Sequence, residues 1–259
     1  MRASVAGARD TAYDEPVSRP ERSEVLNLLH QVRSSPLGER LILAGSSGVF
    51  GASETIPALT EDVDVLIDAD WVAREEPRLL DDMRELGFEH QPGTCTFARQ
   101  DGLSLDLVGY SRRDAVDRIG GGKTVPVMVF GDLSSVVSAR DAIVELPTGG
   151  RALSPAALAA IKLLTIRLEK GSKDKLQALL LIDENSADED FLAELRRFLG
   201  LFDSDRIGDA LADAQTACLA VSADVTRTDA QTRGYVEMDL AIARGLATLE
   251  LLISAKEEA

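Results

Sequence analysis

LILAGSSGVFGASETIPALTEDVDVLI, residues 41 to 67, carries two apolar runs joined through a small-residue turn. Arg40 to Ala44 reads as a short buried strand that ends at once in Gly45-Ser46-Ser47-Gly48. From Asp62 to Ile67 the period is two: Val63, Val65 and Ile67 face one way, Asp62 and Asp64 the other. Both carboxylates therefore leave one strand face about 7 Å apart at the backbone. Two anions held side by side repel unless positive charge lies between them. A hard divalent cation answers that need, and magnesium commonly takes one or two carboxylates together with substrate phosphates. The Gly45-Ser46 turn supplies the complementary half. Small residues let backbone N–H groups approach phosphate oxygens, and Val49 to Ala52 can start a helix whose N-terminus favours negative charge.

Outward from this pair, Leu103 to Val108 is a third alternating strand, with Leu103, Leu105 and Leu107 inward and Ser104 and Asp106 outward. Asp106 can thus project onto the same surface, and three carboxylates there suit a two-metal site that clamps the attacking and leaving oxygens of an in-line displacement. A helix is expected over Arg22 to Val32, with Val25, Leu26, Leu28 and Leu29 on its apolar side. Asp68 and Asp70 read as strand-end and helix-cap residues, the latter opening a helix that runs to Gly87 and that Pro77 can break. Phe88 to His90 and Cys95 to Ala98 form a hairpin around Gln91-Pro92-Gly93, and Val125 to Phe130 and Ala142 to Leu146 are further short strands. After Gly149-Gly150 no strand is expected. Ser154-Pro155 opens a helical tract with an N-cap and a first-turn proline, and helical spacing recurs at Leu158, Ile161, Leu164 and Leu168, at Ile207, Leu211, Ala214 and Cys218, and at Leu246, Leu249 and Ile253. The expected organisation is a tail over residues 1–20, an α/β (α+β) domain over 21–150 with a mixed sheet and flanking helices, and a helical bundle over 151–259.

Strand, Gly-Ser turn, Asp-x-Asp on the next strand and a third Asp on a later one form an ordered set. Leu43-Ala44-Gly45-Ser46-Ser47 followed by Leu59-Thr60-Glu61-Asp62-Val63-Asp64-Val65-Leu66 resembles the hG[G/S]…DhDh signature of the polymerase-beta-like nucleotidyltransferase superfamily, and Leu105-Asp106-Leu107 matches its third carboxylate. Within it the chain is most similar to the AbiEii-like, toxin-type branch, through Leu158 to Lys162, Arg167 and Lys173-Asp174. The resemblance covers roughly Leu41 to Ile182. It implies metal ligation by Asp62, Asp64 and Asp106, deprotonation of the acceptor with help from Asp106, and triphosphate binding by Gly45, Ser46, Ser47, Lys162, Arg167 and Lys173. Two departures stand out. Fifteen residues separate Ser46 from Asp62, which enlarges the loop from Ser53 to Thr60, and Gln177 stands where the pattern usually has Asp.

The stretch from Arg151 to Lys175 is the one basic neighbourhood, with Arg151, Lys162, Arg167, Lys170, Lys173 and Lys175 against Glu169 and Asp174. A local cationic face can hold triphosphate oxygens. Lys162, set among apolar residues, reads either as a phosphate ligand or as a snorkelling surface lysine. Gly120-Gly121-Gly122-Lys123-Thr124 imitates a phosphate loop, but Asp117 occupies the position of its first glycine and the run leaves a helical-looking segment to enter a strand, the reverse of the required order. It reads as a flexible connection. His30 and His90 lack partners that suggest catalysis, and Cys95 and Cys218 read as small core residues.

The bulk numbers narrow the field. The 259 residues are 45% hydrophobic and 28% charged, a globular balance. The sequence has no apolar run of about 18 residues, residues 1–20 read as a tail without the apolar core of a secretory signal, and the two distant cysteines lead us to expect a cytoplasmic protein with free thiols. Lys and Arg total 28 against 44 Asp and Glu, a formal −16, which repels a nucleic-acid backbone. From Glu184 onward sixteen acidic residues face seven basic ones. The expectation is therefore a magnesium-dependent enzyme, using two ions, that moves a nucleoside monophosphate from an NTP to an acceptor. A small molecule or protein is favoured over RNA, and an antitoxin is a possible protein partner. The alternative is a non-catalytic protein of the same fold that sequesters a partner.

Overall fold

The computed structural model describes residues 21–56, 62–147, 149–164, 171–219 and 238–257. The expected N-terminal tail, the segment Leu59 to Glu61, Arg167 and Leu168 lie outside the described residues. Helix α1 (Arg22–Arg33) buries Val25, Leu28, Leu29 and Val32 at helical spacing and opens on a capping box between Glu21 and Glu24. The apolar run after it forms only a two-residue strand, β1 (Ile42–Leu43), because Gly45 at φ +58° turns the chain away. Then comes α2 (Gly48–Ala52), where helix was expected.

Strand β2 (Val63–Asp68) buries Val63, Val65 and Ile67, as alternation requires. It runs one residue beyond Ile67, and this moves the following cap. Asp68, not Asp70, accepts from the N–H groups of Asp70 and Trp71 at the start of α3 (Ala69–Glu85). Asp70 instead meets Ser111, Arg113 and Arg118. Pro77 has the expected effect: Glu75 leaves helical geometry (φ −120°, ψ 21°) and α3 kinks there. Strands β3 (Phe88–His90) and β4 (Thr96–Arg99) form the expected hairpin, with β5 (Ser104–Tyr110) against β4.

Two expectations fail further on. Residues 112–117 hold no helix, and Arg118–Gly121 is strand β6, paired antiparallel with β7 (Pro126–Val129). Glycines are poor helix formers, whereas Val127 and Val129 offer a ladder to pair with. After α4 (Gly131–Ser138) and β8 (Ile143–Glu145), a strand does follow Gly150: β9 (Arg151–Leu153) lies antiparallel to β8 and parallel to β1. Three residues are too few to display a period, and Gly149 and Gly150 at φ +90° and +86° make the turn that sets the pairing.

Among the described residues the sheet has nine strands, ordered β3-β4-β5-β2-β1-β9-β8, with β7 on β5 and β6 on β7. Parallel and antiparallel pairs mix, and β2 sits centrally between β1 and β5. The helical region begins with α5 (Pro155–Leu164), whose N–H at Ala157 is capped by Ser154, and continues through α6 (Gly171–Glu184), α7 (Glu189–Leu199), α8 (Ser204–Leu219) and α9 (Met238–Glu257). Helix α5 packs on β9, α2 and α4 and carries α6, α7 and α8. One contiguous apolar core joins Val25 of α1 to Leu252 of α9 through the sheet. The chain is thus a mixed α/β protein with a C-terminal helical region. No described helix is long and apolar enough to cross a membrane.

Candidate active site

Strands β2 and β5 run parallel with Asp64 directly opposite Asp106. Adjacent strands lie about 4.8 Å apart, so the two carboxylates stand side by side on one sheet face. Both are half-buried, as is Asp62, one residue ahead of β2 in the same alternation. The thiol of Cys95, just before β4, registers all three acids. Burial pushes it above the usual thiol range first, the Asp106 charge adds to this, and Asp64 and Asp62 raise it further. Cys95 is also no activated nucleophile, because its thiolate is disfavoured.

The turn packs against Asp64. Gly45 has positive φ, and a Cβ built on it would stand 1.9 Å from Asp64 Oδ2. Glycine is required twice here, once by the backbone and once by the neighbouring carboxylate. Beside it the Ser46 hydroxyl donates to Oε1 of the buried Gln177 at 3.3 Å, so α6 backs the turn. Ser47 is fully buried, and its hydroxyl lies 2.9 Å from Ala44 O and 3.2 Å from Asp64 O. That side chain fastens the turn to β2. Helix α2 spans five residues, so it lends little dipole to the turn.

Among the described residues, Arg151, Lys162 and Lys175 of the basic stretch each turn to a different partner. Arg151 reaches Glu39 O at 2.6 Å, and Lys175, buried, donates to Leu163 O. Burial depresses the ammonium of Lys175 below the usual lysine range, with Asp213 and Asp174 acting the other way. Lys162 is buried and bonds Asp174 Oδ1 at 2.7 Å, so it is not a snorkelling surface lysine. Asp174, its partner, lies three residues before Gln177 on α6, so this ion pair sits one helical turn from the residue that meets Ser46.

Among the described residues, no group of three or more His, Cys, Asp or Glu side chains is placed to hold a metal ion. Magnesium does not need such a group, since water and phosphate oxygens complete its octahedron. Asp64 and Asp106 as facing carboxylates, with a glycine turn against Asp64, are two oxygen donors of the kind such an ion takes. Thr96 escaped the sequence reading: its hydroxyl donates to Asp106 Oδ1 at 2.6 Å across the β4–β5 ladder. Only the register between the two strands could have revealed it.

No family model matches the chain, and no curated protein matches it. Among solved structures, a crystal structure from H. pylori described as a "putative nucleotidyltransferase" is similar over 92% of this chain and 95% of that chain, with 11% identity and a TM-score of 0.46. A likeness of that strength decides nothing about the site, whose chemistry rests on its own residues.

Proposed function

We propose that the chain is a magnesium-dependent nucleotidyltransferase of the polymerase-beta-like superfamily, transferring a nucleoside monophosphate from an NTP to an acceptor. The observation that carries this reading is the row formed by Asp64 and Asp106 across β2 and β5, with Gly45 pressed against Asp64. In this reading Asp62, Asp64 and Asp106 hold the metal, and the triphosphate is bound at the turn of Gly45, Ser46 and Ser47 with Lys173 and Arg167 as its cationic partners. Lys162 reaches phosphate only by exchanging its bond to Asp174.

The chemistry asked of the protein is positioning and charge placement, as in phosphoryl transfer generally. An acceptor oxygen attacks the α-phosphorus as the bond to the β,γ-pyrophosphate breaks, and the acceptor proton passes to Asp106. Magnesium, when bound, neutralises charge on the phosphate oxygens and on the leaving pyrophosphate. The acidic helical region favours a small molecule or a protein as acceptor over RNA. A toxin role with an antitoxin partner follows from the branch that the sequence resembles.

The test is incubation of the full chain with Mg²⁺, each labelled NTP and cell extract, beside Asp64→Asn and Asp106→Asn. Transfer by the wild type that falls about 1,000-fold in either variant supports the reading. Absence of transfer together with absence of metal-dependent NTP binding would sink it and leave the sequestering protein standing.

A further inference from the structure

We infer that Thr96 is a positioning residue for the Asp106 carboxylate, an inference that rests on the transferase reading above. Thr96 and Asp106 are register partners on antiparallel strands, and Asp106 and Asp64 are partners on parallel ones. Hydroxyl, carboxylate and carboxylate therefore form one row across β4, β5 and β2. The 2.6 Å bond from Thr96 Oγ1 to Asp106 Oδ1 is in the range of charge-assisted O–H···O⁻ contacts.

The donor is itself held. The Thr96 N–H donates to Thr94 Oγ1 at 3.0 Å, and the Thr94 hydroxyl donates to Gln91 O at 2.8 Å, so the β3–β4 turn fixes the start of β4. Branching at Cβ restricts Thr96 further. Left alone, Asp106 would rotate away from Asp64 to relieve repulsion. A hydroxyl bonded to Oδ1 opposes that rotation without cancelling the negative charge. A lysine in the same place would hold the carboxylate too, but would cancel the charge that a cation or an acceptor proton needs. The choice of a neutral donor is what distinguishes positioning from neutralisation.

The experiment compares wild type, Thr96→Val and Thr96→Ser in two readouts: titration of the full chain with Mn²⁺, and labelled-NTP transfer to the extract acceptor. The valine variant keeps the shape and loses the O–H; the serine variant keeps the O–H. Thr96→Val is expected to weaken Mn²⁺ binding and lower the maximal transfer rate about 10–100-fold. The apparent KM for the nucleotide and the thermal midpoint stay near wild type, and Thr96→Ser recovers most of the loss. A valine variant equal to an active wild type, or a serine variant as impaired as valine, overturns the role of Thr96 alone. A wild type that neither binds Mn²⁺ nor transfers nucleotide overturns the transferase reading, and the role of Thr96 with it.

Discussion

Two glycine-rich turns in this chain both touch a carboxylate, and they do so in opposite ways. At Gly45-Ser46-Ser47-Gly48 the acid is Asp64 on the adjoining strand, pressed against the glycine Cα and held in place by the sheet. At Gly120-Gly121-Gly122-Lys123-Thr124 the acid is Glu76 of α3, and the N–H groups of Lys123, Thr124 and Val125 all donate to it, at 3.2, 2.7 and 2.6 Å. The second turn is a nest of backbone donors already filled by the protein's own anion. It also connects two antiparallel strands, so no helix follows it. A phosphate-loop reading fails there on both connectivity and occupancy. Glycine content alone does not make a phosphate site; what fills the cradle does.

The sharpest way to break this contrast is Gly45→Ala. The new methyl would need the space of Asp64 Oδ2 and a backbone at φ +58° that alanine resists by about 1 kcal/mol. Displacement of that ligand by an ångström is expected to lower nucleotide transfer about 100-fold. A steady-state assay beside a thermal melt separates the two effects, and an alanine variant with full activity would show that the turn is not tied to the chemistry. A smaller effect is expected at the other turn. Glu76→Gln removes the charge from the three N–H bonds and should destabilise the chain by about 1–2 kcal/mol in urea titration, with transfer rates unchanged. Loss of transfer without loss of stability would mean that the second turn also serves the active site.

The difference between the turns also shows how far sequence reaches. Alternation exposed β2 and β5 and the three acids, because a period of two survives in any strand with one buried face. The filled nest was not legible, since Glu76 and Lys123 are 47 residues apart and a kinked helix brings them together. Strand β9 was missed because three residues carry no period, and β6 because its glycines carry no β signal. Lys162 was legible as a lysine in an apolar setting, but its pairing with Asp174 depends on how α5 meets α6. Patterns within one element can be read along the chain; partners supplied by another element cannot.

The smallest expected effect is electrostatic and confined to the first turn's surroundings. Cys95 has a thiol raised by burial and by Asp106, Asp64 and Asp62, in that order, so a smaller fraction is thiolate at any pH below its titration than for an ordinary cysteine. Alkylation, which needs the thiolate, should therefore rise with pH along a curve displaced to the alkaline side. Asp106→Asn removes the largest of the charge contributions while leaving the burial, so the curve should move back toward neutral pH, with a smaller shift for Asp64→Asn. Removing Cys218 by Cys218→Ser leaves a single thiol to follow by mass spectrometry. The midpoint of the pH profile, and not the rate at one pH, is the readout, because burial slows reagent access equally at all pH values. Midpoints that coincide in wild type and both variants would mean that Asp106 and Asp64 do not act together on Cys95, and the case for a shared cation site would lose its electrostatic support.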